Sequence, residues 1–370
     1  MDYKNDDRVV LTLDAGGTNF VFSAMQGNKE VVESVRLPAE VQVLEKSLET
    51  IETGFRQVME KLDEKPVAIS FAFPGPADYP NGIIDNVGNL PSFAGGVPLG
   101  PWLEKRFDMP VFINNDGDLF VYGEAIAGLL PKVNQMLAQA GSPKRYNTLF
   151  GVTLGTGFGG GMVHKGDLFI GDNSNATEVW LLRNKVRPEC FIEDGASIRA
   201  VRNSYAKNAD IDPDAAPSPK EIADIALGQA EGNKAAAIEA YRELGEVVGE
   251  ALSTVGTLFD SLIVLGGGLS KSHRLFMPAV LDVMNGSIQK YDGTELDRIV
   301  QKVYDLEDPG QQTEFLKGQT KMISIPGTDE TLAYDPLKRI GIGTAVLDTS
   351  HAVSVGAYAF ALNELDKYSS

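Results

Sequence analysis

Asn114-Asn115-Asp116-Gly117-Asp118 sits where an apolar run ends and a helical pattern begins. Before it, Pro110-Val111-Phe112-Ile113 is short, β-branched and aromatic, and reads as a buried strand. After it, Leu119, Val121, Tyr122, Ala125, Ile126 and Leu129 recur at helical spacing around Glu124. Asp116 and Asp118 thus fall at the carboxyl end of a strand and beside a helix N-terminus. Open α/β sheets place ligand chemistry there. Two readings are open at this point: an aspartate that meets a ligand, and an aspartate that simply caps the helix.

Upstream, residues 9–13 and 20–25 read as strands joined by the tight turn Asp14-Ala15-Gly16-Gly17-Thr18-Asn19. Residues 40–62 carry Leu44, Leu48, Ile51, Phe55, Val58 and Leu62 on one face, which predicts a long amphipathic helix. A buried strand over 66–73 runs into Pro74-Gly75-Pro76. The Gly-, Pro-, Asn- and Asp-rich segment from there to Phe93 is long for a connection and reads as a functional loop. A short helix over 99–107 leads back to Asn114.

Downstream, a strand over 146–154 is followed by Gly155-Thr156-Gly157-Phe158-Gly159-Gly160-Gly161 and by a returning strand from Met162. This echoes the first hairpin and suggests an internally duplicated fold whose two hairpin tips face one cleft. Helices are expected over 195–206, 220–229, 234–259, 271–283 and 353–365. A strand over 261–265 ends at Gly266-Gly267-Gly268. Residues 291–338 show no strong period.

The chain has 370 residues, enough for two domains with sizeable cores. Its 33 basic and 51 acidic side chains leave a net charge of −18, which disfavours nucleic acid and anionic membrane as partners. A small phosphorylated ligand remains compatible, because backbone N–H groups at a tight turn hold one locally. Cys190 is the single cysteine, so neither an intrachain disulfide nor a cysteine zinc cluster can form. The polar start, Met1 to Arg8, lacks the apolar core of a signal peptide, and no apolar stretch reaches the ~18 residues of a membrane span. A soluble cytoplasmic protein is expected.

Gly155-x-Gly157-x-x-Gly160 matches a dinucleotide fingerprint only formally, since a strand rather than a helix follows it. The Walker lysine and the protein-kinase catalytic loop are absent. What remains is a pair of hairpins presenting bare N–H groups and the hydroxyls of Thr18 and Thr156 to phosphate. Glycine suits such turns because a Cβ would block close approach of the backbone.

These motifs stand together in one order: Asp14-x-Gly16-Gly17-Thr18-Asn19, Phe73-Pro74-Gly75-Pro76, Asn114-Asn115-Asp116, Leu154-Gly155-Thr156-Gly157, Leu265-Gly266-Gly267-Gly268 and Gly341-Ile342-Gly343-Thr344. The set resembles the ROK (repressor, open reading frame, kinase) family of sugar kinases. The resemblance implies an α/β, two-domain actin/hexokinase-like (ribonuclease H-like) ATPase fold with an inter-domain cleft. Residues 1–126 with 351–370 would form the first domain and 127–350 the second. Only eight residues precede Val9, so the kinase rather than the repressor branch is implied.

The resemblance also assigns roles. Asp116 would be the general base. Gly75, Asn89, Asn115, Glu178 and Glu193 would contact the sugar. Asp14 would hold Mg²⁺ through water. Gly16, Gly17, Thr18 and Asn19 would line one phosphate of ATP, Thr156 and Gly157 another, and Gly266 and Gly267 would flank the adenosine. The family's zinc motif is broken here: Leu181 stands where its histidine belongs, and only Cys190 remains of its cysteines, so no zinc site is expected. The leading expectation is ATP- and Mg²⁺-dependent phosphorylation of a hexose or N-acetylhexosamine by a homodimer. The rival is a sugar- or nucleotide-binding sensor that has lost catalysis.

Overall fold

In the computed structural model of the chain, residues 3–16, 18–75, 77–85 and 90–369 are described, the last two by their backbone alone. They form two compact units, residues 1–128 with 161–176 and 346–370, and residues 129–160 with 177–345.

The first unit starts as the hairpin of Val10–Ala15 (β1) and Asn19–Gln26 (β2), extended by Lys29–Glu30 (β3) and Val35–Pro38 (β4). The helix Leu44–Met59 (α1) follows, then Ala68–Ala72 (β5), a short hairpin of Ala77–Asp78 (β6) with Ile83–Ile84 (β7), and the helix Leu99–Phe107 (α2). Val111–Asn114 (β8) completes a sheet of order β3-β2-β1-β5-β8, with β4 beside β2. β1, β5 and β8 run parallel, and their register aligns Asp14 with Ala72 and Ala72 with Asn114. Three strands therefore bring their carboxyl ends to one edge, where their shared direction gathers the loops that follow them.

One face of this sheet packs on α1 through an aromatic core. Phe22 meets Phe55 edge-on at 5.1 Å between centroids, and Phe73 meets Phe93 at 5.1 Å. Burial of each such side chain is worth about 1.5–3 kcal/mol. Gly54 lies flat on the Phe22 ring, where a Cβ would overlap it.

The helix Asp116–Ile126 (α3) leaves the sheet directly after β8, and all ten residues after Asp116 are buried. A helix buried on every side has little amphipathic signature. It ends at Ile126 rather than running on to Leu129. Gly128 sits where a Cβ would strike the Glu124 carboxylate, and that carboxylate accepts the Leu347 N–H at 2.8 Å.

The second unit opens with Leu129–Gln139 (α4) and Thr148–Leu154 (β9). Phe158–His164 (β10) passes from the second unit into the first, where Val163 and His164 pair with Asp167–Leu168 (β11). The chain returns through Ile198–Ala209 (α5), Pro219–Ala226 (α6), Lys234–Phe259 (α7), Leu262–Gly266 (β12) and His273–Met284 (α8). Asn233 starts α7 by accepting the Ala236 N–H at 3.1 Å, and Ser218 with Glu221 forms a capping box on α6. β12 lies parallel between β9 and the later strand Arg339–Thr344.

Ser287–Gln289 (β13), just before the stretch without a legible period, pairs with Glu295–Asp297 (β14) inside it, and the stretch goes on through Lys302–Asp305 (β15), Pro309–Lys317 (α9), and Lys321–Ser324 (β16) paired with Thr331–Tyr334 (β17). Arg339–Thr344 (β18) follows, with β15 parallel beside it at the edge of the second sheet. β15 is four residues long, too short to register a period, and nearly every strand residue of the two hairpins is exposed, so nothing demands an alternation of apolar and polar residues.

The last helix, Thr349–Ser369 (α10), rejoins the first unit and packs on α3. Two glycines let the backbones touch: a Cβ on Gly356 would meet the Leu119 carbonyl oxygen, and one on Gly123 would meet the Ala352 carbonyl oxygen. Gly356→Ala is therefore expected to destabilise the protein by about 1–3 kcal/mol, because a backbone atom cannot rotate away as a side chain can. A urea unfolding midpoint equal to that of the wild type would refute this packing argument. Among the described residues, no helix is long and apolar enough to cross a membrane.

Candidate active site

Asn115 has extended backbone and caps α3, its Oδ1 accepting the Gly117 N–H at 2.8 Å. The cap is thus asparagine, not Asp116 or Asp118. Asp118 is buried, while Asp116 stands exposed as the first residue of the helix. Asp116 Oδ1 lies 2.9 Å from the same Gly117 nitrogen, so one N–H is shared by both side chains. A carboxylate in the first turn is also favoured by the helix dipole.

The other end of the Asn115 amide donates to the Tyr79 hydroxyl at 3.3 Å, and that hydroxyl donates to the Phe73 carbonyl at 3.1 Å. Gly75 lies under the same oxygen, where a Cβ would come within 2.8 Å. Tyr79 is a residue the sequence reading missed. Its signal was its place in the long Gly- and Pro-rich loop. On α3, burial lifts the Tyr122 phenol above its ordinary pKa, and its hydroxyl donates to Gly166 O at 2.8 Å.

Asp14 is exposed at the end of β1. It shares with Asp116 a cavity of about 570 Å³, whose walls include Thr12, Ser23, Arg36 and His351. The turn after Asp14 is closed by the Gly16 N–H donating to Asn19 O at 3.1 Å, and a Cβ on Gly16 would stand 2.9 Å from that oxygen. Thr18 is exposed, its carbonyl accepting the Ala39 N–H at 3.1 Å, and Asn19 begins β2. Gly17 and Asn89 lie outside the described residues.

In the second unit, the Gly155 N–H donates to Gly157 O at 3.0 Å, while Gly155 O accepts the Ile198 N–H at 2.8 Å. Thr156 is exposed at the tip. Glu193 reaches this turn: its Oε2 accepts the Phe158 N–H at 2.9 Å and would lie 2.7 Å from a Cβ on Gly157. Gly266 pairs with Thr153 across parallel strands, and Gly267 (φ +81°) lies against the backbone of Leu154. Thr156, Gly157, Glu193, Gly266 and Gly267 thus converge on the carboxyl ends of β9 and β12. Glu178 is exposed and accepts the Trp180 indole N–H; Trp180 in turn stands edge-on to Phe191. Leu181 beside it is 60% exposed. A separate cavity of about 190 Å³ is lined by Asn184, Arg187, Cys190 and Glu243, none of them expected at the site.

This ordered set of turns, strand ends and carboxylates has counterparts. The sequence profile of the ROK family matches residues 10–308. The chain belongs to the ROK family. The crystal structure of a glucokinase from Parabacteroides distasonis is 50% identical, with a TM-score of 0.91 over 98% of this chain and 99% of that one. The N-acetyl-D-glucosamine kinase of Vibrio cholerae is 28% identical over 274 residues, 71% of this chain and 85% of that protein. The glucokinase of Thermotoga maritima is 25% identical over 309 residues, 77% and 90% of the two chains. The ROK fold of this chain is the actin/hexokinase-like α/β fold, as the sequence motifs implied.

Proposed function

We propose that this protein transfers the γ-phosphoryl group of ATP to a hydroxyl of a hexose or N-acetylhexosamine. The observation that carries the reading is the exposed Asp116 carboxylate at the head of α3, on one cavity wall with Asp14. Likeness to kinases of glucose and N-acetylglucosamine along most of the chain supports it.

In this reading Asp116 takes the proton of the attacking sugar hydroxyl. Asn115, Gly75, Asn89, Glu178 and Glu193 hold the sugar. Glu193 has Oε2 engaged by the second turn, which leaves Oε1 for a hydroxyl. Gly16, Gly17, Thr18 and Asn19 line one phosphate, Thr156 and Gly157 another, and Gly266 with Gly267 flanks the adenosine. Phosphoryl transfer asks mainly for positioning and for dipoles around the moving charge, and N–H groups of glycine turns supply both.

Mg²⁺, when bound, neutralises charge on the β- and γ-phosphates. Asp14 suits it. Magnesium takes one or two carboxylates together with phosphate oxygens and waters, and Asp14 is a single exposed carboxylate at a strand end. Among the described residues, no three His, Cys, Asp or Glu side chains converge as a metal cage.

ADP release with ATP and Mg²⁺ across glucose, fructose, mannose, allose, N-acetylglucosamine and N-acetylmannosamine tests the reading. Turnover with one of these sugars, well above the sugar-free rate, is the expected result. The sensor reading is favoured by the exposed Leu181 where the family has a histidine. It would gain from a protein that turns over no sugar yet melts at a higher temperature with ATP or a sugar present.

A further inference from the structure

We infer that Tyr79 is a positioning residue for phosphoryl transfer: its hydroxyl fixes the orientation of the Asn115 amide and, through it, the attitude of Asp116. The inference rests on the kinase reading above and adds to it a residue outside the motifs.

A phenol has one proton to give. Tyr79 gives it to the Phe73 carbonyl at 3.1 Å, so toward Asn115 its oxygen can only accept. The amide must then turn its Nδ2 to Tyr79 and its Oδ1 to the Gly117 N–H. The reverse orientation would set oxygen against oxygen and nitrogen against nitrogen. The tyrosine is only 6% exposed, so its ring holds the hydroxyl in place.

Two consequences reach the reacting groups. Asn115 Nδ2 carries a second N–H besides the one it gives to Tyr79. A sugar hydroxyl that accepts this N–H must point its own proton elsewhere, and the Asp116 carboxylate is the neighbouring acceptor. Secondly, Asn115 Oδ1 competes with Asp116 Oδ1 for the Gly117 N–H. With the amide held, the carboxylate is not drawn wholly onto the helix end. If the amide is released, Asp116 becomes the only acceptor of that N–H and turns away from the substrate. The same hydroxyl also ties the loop carrying Gly75 to the first turn of α3, across 36 residues of sequence.

Tyr79→Phe deletes the hydroxyl and keeps the ring, so the variant retains the packing that folds the loop. In the ADP-release assay it is expected to lower kcat by about tenfold or more, since small misplacements of reacting groups cost factors up to about a hundred. The sugar KM should rise and the ATP KM should stay within twofold of wild type. A purely structural role would instead lower the melting temperature and move both KM values. Asn115→Ala supplies the second arm. In that background Tyr79→Phe should cost less than twofold further, because the two act through one hydrogen-bond chain. Wild-type turnover with Tyr79→Phe within twofold of it overturns this inference alone, as does an equal loss in both backgrounds. Absence of wild-type turnover with every sugar overturns the kinase reading and this inference with it.

Discussion

Asp116→Asn is expected to lower kcat by about 10²–10⁴-fold, the range for loss of a general base, while the sugar KM stays within a few-fold. The substitution is nearly isosteric. The asparagine oxygen can still accept the Gly117 N–H that Asp116 Oδ1 meets at 2.9 Å, and Asn115 remains the cap. The site is exposed, so no buried group is left without a partner. The cost to folding is the favourable charge at the helix start, about 0.3–1 kcal/mol. What disappears is a group able to take a proton as the sugar oxygen attacks. Steady-state ADP release at saturating ATP and sugar measures kcat, and a thermal melt run beside it reports the fold. A variant keeping more than a tenth of the wild-type kcat would show that the proton leaves by another route.

The same residue illustrates how far the sequence could be read. β8 and α3 were legible because a β-branched run and a helical period meet there. Which side chain caps was not, since asparagine and aspartate serve almost equally well. The structure assigns the cap to Asn115 and places Asp116 as the exposed first residue of the helix, where it shares the Gly117 N–H, a distinction that depends on one backbone angle pair. The start of α1 was misplaced for a similar reason. Residues 40–43 continue the apolar pattern, but Ser47 Oγ donates to Ala39 O and Glu40 O, and Glu40 has φ +49°. A side chain holding a turn leaves no trace in hydrophobic periodicity, so the helix begins at Leu44. Links such as Tyr79 to Asn115, or Glu193 to Phe158, join residues some 35 apart and are invisible to any local pattern. The glycine motifs were legible as motifs because their backbone demands admit few residues.

Gly267 makes the strongest of those demands, and Gly267→Ala is expected to raise the ATP KM by at least tenfold and to destabilise the protein by about 2–4 kcal/mol. Two costs combine. The backbone has φ +81° and ψ 171°, a region that is essentially glycine-only. The added Cβ would also collide with the backbone nitrogen and carbonyl oxygen of Leu154. Neither can rotate aside, so β9 or the turn after β12 must move. β9 leads straight into Gly155-Thr156-Gly157, while Gly267 O accepts both the Ser270 hydroxyl at 2.7 Å and the Ser270 N–H at 3.2 Å. One methyl group therefore displaces together the turn proposed to line a phosphate and the turn proposed to flank the adenosine. Of the residues proposed to hold the sugar, Gly75 and Asn115 belong to the first unit and are not touched by the clash, whereas Glu193 is bonded to the Phe158 N–H beside the displaced turn and moves with it. Calorimetric titration separates the two effects: ATP binding should weaken at least tenfold, while sugar binding to the nucleotide-free protein should weaken by clearly less, since only Glu193 among its proposed contacts is attached to the displaced turn. Equal weakening of both would mean that the substitution loosens the whole chain. Unchanged ATP binding would remove Gly267 from the nucleotide site.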